Sequence, residues 1–189
     1  MSQLFIPLIL GTARQGRESE KCARFVFEHM QRNPEIETEY IDIRTLHFTT
    51  DDAGENIKDP AFSATVNRAD ALVLVAPEYN HGYPGMLKHV LDTNLKEYIH
   101  KAVGVVGVSA GVFGGARMIQ NLIPVLRELG LVPIFWDVNF TTVATRFDDD
   151  GTLLDESFLP RIDKFLDELL WMAETLRYGR EHVQLGVPA

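Results

Sequence analysis

Five short apolar runs, separated by stretches of helical spacing, govern what this chain can fold into. The runs cover residues 4–10, 38–43, 71–76, 102–108 and 131–139. Residues 4–10 (Leu-Phe-Ile-Pro-Leu-Ile-Leu) and 71–76 (Ala-Leu-Val-Leu-Val-Ala) are apolar throughout, which suits strands buried on both faces. Between the runs, Cys22, Phe25, Val26, His29 and Met30 recur at helical spacing, and so do Met86, Leu87, Val90 and Leu91. Helices are expected at 19–32, from Asp59-Pro60 to about 68, from Tyr83-Pro84 to about 95, at 116–129 and from 158 to Gly179. Asn33-Pro34 stops the first, Asp59 caps the second, and Gly130 caps the fourth. Pro124 removes one hydrogen bond inside that fourth helix. Alternating β and α patterns predict a doubly wound, five-stranded parallel sheet of order 2-1-3-4-5. Residues 1–180 read as a single α/β domain and 181–189 as a tail, with 47–59 and 140–155 as loops.

Composition narrows the function. With 27 acidic against 18 basic side chains, the net charge is −9, which opposes binding to nucleic acid. No apolar stretch is long enough for a membrane span, and the N-terminus lacks a basic leader region. Cys22 is the one cysteine and shares a helix face with core residues, so a cytoplasmic protein with a buried thiol is expected.

In a sheet of this kind, ligands bind beyond the carboxyl ends of the strands. Three segments occupy those places. The first holds Gly11, Thr12, Arg14, Arg17 and Ser19, with hydroxyls, guanidinium groups and a following helix N-terminus, a cradle for phosphate. It is not a P-loop, because Arg17-Glu18 stands where Lys-Ser/Thr is required, and no Rossmann glycine fingerprint is present. The second holds Pro77, Glu78, Tyr79 and Asn80, whose backbone suits the edge of a planar heterocycle. The third, with Ser109, Ala110, Gly111 and Gly114, leaves room for a flat ligand. Together they describe a mononucleotide site, with phosphate at the first loop and the ring between the other two.

Other clusters point away from metals. Glu97-x-x-His100 occurs once, whereas a di-iron bundle needs two copies and further glutamates. The acidic turn Asp148-Asp149-Asp150-Gly151 lacks the closing glutamate of a calcium loop. His81 sits either beside the ring or on the surface.

These loops resemble the NADPH-dependent FMN reductase family. The resemblance rests on Gly11-Thr12-x-Arg14 with Ser19, on Pro77-Glu78-Tyr79-Asn80 with Pro84-Gly85-x-Leu87-Lys88 and Leu91-Asp92, and on Ser109-Ala110-Gly111-x-x-Gly114-Gly115-x-Arg117. Thr93 stands where members often carry tryptophan. The resemblance implies a flavodoxin-like fold, bound FMN, NADPH or NADH as electron donor, a small-molecule acceptor such as a quinone, free flavin or azo compound, and a homodimer or tetramer. It implies flavin-centred chemistry with no catalytic side-chain dyad. The alternative reading is a flavodoxin-type electron carrier without nicotinamide turnover; the two arginines of the first loop favour the enzyme.

Overall fold

The computed structural model of the chain describes residues 3–47, 49 and 54–184. The first apolar run forms β1 (Leu4–Phe5) and β2 (Leu8–Leu10), parted by Pro7. Pro7 has no N–H to give to a ladder, yet the register holds across it. β1 pairs Leu4 with Ile36 in β3 (Ile36–Glu37), and β2 pairs Leu8 with Tyr40 in β4 (Tyr40–Asp42). The first run thus keeps one register on either side of Pro7, with β1–β3 a separate two-stranded pairing whose second strand begins two residues before the expected run 38–43.

β5 (Ala71–Pro77) and β6 (Lys101–Val108) form the centre of the sheet. β7 (Leu131–Pro133) and β8 (Val138–Phe140) pair with successive halves of β6, separated by an excursion that leaves Phe135 exposed. The order β4-β2-β5-β6-β7, parallel throughout, is the expected 2-1-3-4-5.

The strands are buried on both faces because helices cover both. Ala71, Val73 and Val75 pack with residues of α1 (Ser19–Arg32) and α5 (Leu159–His182). Leu72, Leu74 and Ala76 face α2 (Pro60–Arg68), α3 (Gly85–Asp92) and α4 (Ala116–Glu128). Two glycines let neighbours approach β6. A Cβ on Gly104 would lie 2.4 Å from the Phe165 ring, and one on Gly107 would lie 2.6 Å from the Gly114 carbonyl oxygen.

Helix boundaries differ in places from expectation. Asp59 does cap α2, accepting from the Phe62 N–H at 2.9 Å. α3 stops at Asp92, where the Thr93 hydroxyl turns back onto the Val90 carbonyl. α5 continues through Gly179 to His182, because Arg180 binds the His100 carbonyl and Asp70 and anchors the last turn. The loop expected at 47–59 and the tail at 181–189 fall partly outside the described residues. Among the described residues, no helix is long and apolar enough to cross a membrane.

Candidate functional site

The parallel topology brings the three loops after β2, β5 and β6 to one edge of the sheet, where they enclose a cavity of about 320 Å³. That volume lies at the lower end of the range for small-molecule sites. Its walls include Arg14, Arg17, Ser19, Pro77, Glu78, Tyr79, Ser109 and Ala110, eight of the residues singled out from the sequence.

One end of the cavity is built for an anion. α1 begins at Ser19, whose side chain is buried and whose Oγ has no hydrogen-bond partner among the described residues. The backbone N–H groups of Gln15, Gly16, Arg17, Glu18 and Ser19 make no hydrogen bond within the described residues. Arg14 is exposed, without a carboxylate partner among those residues, and its guanidinium lies 5.7 Å from the centre of the Tyr79 ring. Unpaired N–H groups, a free hydroxyl, a cation and the partial positive charge of the helix end thus belong to residues that line one cavity.

Arg17 is differently employed. Its fork binds Asp42 at the end of β4, its Nε contacts Glu20 at 3.3 Å, and it donates to the Thr12 carbonyl. Arg17 thus shapes the cradle, with most of its donors already satisfied. Burial raises the Asp42 carboxyl, but hydrogen bonds from Arg17 and Arg44 outweigh it and hold the group well below the usual carboxylate range.

Five further expected residues do not line the cavity. Gly11 is glycine for packing, since a Cβ there would meet Leu87 Cδ2 at 2.9 Å. Thr12 is buried beneath the loop; its Oγ lies 3.0 Å from the Tyr79 hydroxyl and accepts from the Arg14 N–H at 3.4 Å. It braces the first loop against the second. Asn80 sits at the tip of a tight turn in which Tyr79 and Gly82 exchange both backbone hydrogen bonds. Asn80 and His81 both have positive φ there (48° and 67°), as the twist of such a two-residue turn demands. Both are exposed, so His81 occupies the surface. Gly111 is open to solvent, and Gly114 packs on Asn139.

The remaining walls are Gln15, Gly16 and Glu18 of the first loop, a segment the sequence did single out, and Val108 and Val143, which it did not flag as site residues. Val143 arrives through backbone pairing: its N–H donates to the Ser109 carbonyl at 3.1 Å, and the Thr142 N–H donates to Gly111 at 2.9 Å. No local pattern in residues 140–155 announces this return of the chain.

The ring-side half has apolar walls from Pro77, the Tyr79 ring, Val108, Ala110 and Val143. Glu78 and Ser109 are the polar residues there, and the Ser109 hydroxyl already donates to the Gly111 carbonyl at 3.0 Å. One of the Glu78 carboxylate oxygens is held by Arg117, at 2.7 Å from Nε, while Oε2 is buried without a partner. A ligand with an anionic end and a flat body bearing hydrogen-bond donors fits this lining.

A larger cavity of about 820 Å³ runs between α1 and the 149–159 segment. Its cations are largely paired along the helix, as in Arg24–Glu20 and Lys21–Glu18, leaving Asp149 and Asp150 to set the local sign. It shares Gly16, Arg17 and Glu18 with the smaller cavity but none of the residues of the second and third loops.

The model of the NADPH-dependent FMN reductase family matches residues 6–143, a span that contains all three loops. An FMN-dependent NADPH-azoreductase from Staphylococcus aureus (strain USA300) is 28% identical over 189 residues, covering 94% of this chain and 98% of the relative. The flavoenzyme NAD(P)H:(acceptor) oxidoreductase FerB from Paracoccus denitrificans shares the fold with a TM-score of 0.76 at 23% identity, over 91% of this chain and 98% of that one. A flavodoxin from Pseudomonas aeruginosa does so with a TM-score of 0.60 at 14% identity, over 88% and 99%. These two are likenesses of fold.

Proposed function

Because the chain belongs to the NADPH-dependent FMN reductase family, we propose that the cleft at the ends of β2, β5 and β6 holds FMN and serves electron transfer to a small diffusible acceptor. The protein is an NAD(P)H-dependent flavin oxidoreductase with FMN as its cofactor. The observation that carries the placement is Ser19 Oγ, a buried hydroxyl with no partner at the start of α1, in a wall shared with both ring-side loops. A phosphate there satisfies Ser19, the five open N–H groups and Arg14 together.

FMN held there would supply the two-electron redox chemistry between nicotinamide and acceptor. The protein's own work is positioning. Arg14 and Ser19 hold the phosphate, while Arg17 keeps the first loop closed by binding Asp42 and the Thr12 carbonyl. Pro77, Tyr79 and Ala110 exclude water from the flat body of the cofactor. Gly111, with open space where a Cβ would stand, leaves an approach for nicotinamide and acceptor.

The acceptor is of quinone, free-flavin or azo type; the staphylococcal relative, named an azoreductase, supports the azo class. α3 turns Met86 to solvent, and Leu95 and Ile99 beyond it are also exposed, apolar side chains available to the interface of a homodimer or a tetramer built from dimers. The acidic net charge fits a cytoplasmic enzyme of small molecules, not a nucleic-acid binder. A carrier role is disfavoured, since flavodoxin is a neighbour in fold while the family match spans the nucleotide loops.

The test is to release the cofactor by heat, identify it chromatographically, and mix the FMN-loaded protein anaerobically with NADPH or NADH. Recovery of FMN, direct bleaching by a nicotinamide and turnover with a quinone or azo dye are expected. Recovery of FAD, or bleaching only with a separate reductase present, overturns the reading.

A further inference from the structure

The geometry points to Arg117 as a positioning residue that acts on bound FMN through Glu78, holding that carboxylate in the ring-side wall and offsetting its charge. This rests on the placement of FMN proposed above.

Glu78 is fixed at both ends. Its N–H extends the β5–β6 ladder, donating to the Val108 carbonyl at 2.9 Å. Its side chain is 5% exposed and lines the cleft. Arg117 takes one oxygen with Nε at 2.7 Å and with Nη2, leaving buried Oε2 with no partner. A half-satisfied buried carboxylate is costly, so the free oxygen calls for a donor from the ligand. FMN offers such donors on its ring imide and its ribityl chain.

Arg117 is placed to do this from the first turn of α4. Its guanidinium also lies 4.9 Å from the centre of the Phe113 ring, so one side chain joins the second and third loops. One turn later Asn121 Nδ2 donates to the His81 carbonyl at 2.7 Å, steadying the positive-φ turn. α4 therefore clamps the segment that carries Glu78.

The electrostatic consequence has a definite sign. Electron uptake adds negative charge to the cofactor ring, and a nearby uncompensated carboxylate opposes it. Arg117 supplies the compensation. Its removal leaves Glu78 unpaired in the cleft, which weakens FMN binding and makes reduction harder. Removing the carboxylate as well takes away the reason for Arg117.

The experiment compares Arg117→Met, Glu78→Gln and the double variant as full-length protein, stripped of FMN and reloaded. The readouts are the FMN dissociation constant and the two-electron midpoint potential of the bound cofactor. Arg117→Met is expected to weaken FMN by about tenfold or more and to shift the potential to more negative values. The double variant should regain most of that potential. Arg117→Lys, which keeps the charge and loses the fork, should hold the potential while weakening FMN, and it serves if the methionine variant does not fold. An unchanged potential in Arg117→Met, a negative shift in Arg117→Lys, or a double variant that merely adds the two losses would overturn the inference. Ser19→Ala is measured alongside. If it leaves FMN affinity intact, the placement of FMN itself fails; if it weakens FMN while Arg117→Met does not, only the role of Arg117 fails.

Discussion

Arg17 Nη1 lies 3.0 Å from Asp42 Oδ1 while Nη2 binds the other oxygen, so the first loop is tied to the end of β4 by a nearly buried fork. Asp42→Asn is therefore expected to cost about 3 kcal/mol at pH 7, as when one partner of a buried pair is removed. The Asp42 carboxyl is depressed in the folded state, so its contribution is present above its unfolded value near pH 4 and is lost as pH falls below it. Urea unfolding at pH 7 and pH 3 should show the variant closer to wild type at the lower pH. A constant difference would contradict the linkage.

Ser19→Ala separates binding from folding. Its Oγ has no partner among the described residues, so the FMN-free variant should unfold within about 0.5 kcal/mol of wild type. FMN affinity should fall by about tenfold or more, the loss expected for one hydrogen bond to a charged group. Calorimetric titration and thermal melts of the FMN-free protein test both halves. Lower stability with unchanged affinity would make Ser19 a structural residue.

Two glycines in one strand should behave differently. Gly104→Ala drives a methyl into the Phe165 ring, away from the site, at a cost of about 1–3 kcal/mol. Gly107→Ala drives one into the Gly114 carbonyl and Gly115 Cα, beneath the third loop. Stability should fall in both variants and FMN affinity chiefly in Gly107→Ala. Equal affinities in the two variants would show that the third loop does not depend on that close approach.

Asp137 provides a test of opposite sign. Burial alone raises its carboxyl to about 6. A raised carboxyl favours the folded state below the unfolded value near pH 4 and loses that advantage as pH rises through about 6. Asp137→Asn should thus raise the melting temperature at pH 7.5 and leave little gain at pH 4. A variant less stable at pH 7.5 would mean that the carboxylate has a favourable partner.

The sheet was legible because burial on two faces leaves a local trace. In β5 every residue from Ala71 to Ala76 must be apolar, whichever layer it faces. The loops were legible for a related reason: Gly11 to Ser19, Pro77 to Asn80 and Ser109 to Gly114 each follow such a run, and strand direction sends them to one edge. Pro7 interrupts a ladder without altering its register, and no sequence rule foretold that.

The layers, the expected strand order and the three segments that meet in the site are all written in local patterns of the chain. Which side chains remain free to act there depends on packing between distant segments. Arg14 and Arg17 look alike in the chain, yet β4 sets Asp42 beside one and leaves the other open. Val143 reaches the cleft from a segment far from its motifs, through a backbone pairing, and Arg117, at the end of the third motif, is tied to Glu78 of the second by an ion pair. Local patterns record burial and turn geometry, because these act between near neighbours. The pairing of charges and the orphaning of Ser19 Oγ and Glu78 Oε2 depend on which distant segments adjoin, and only the packed chain sets those distances.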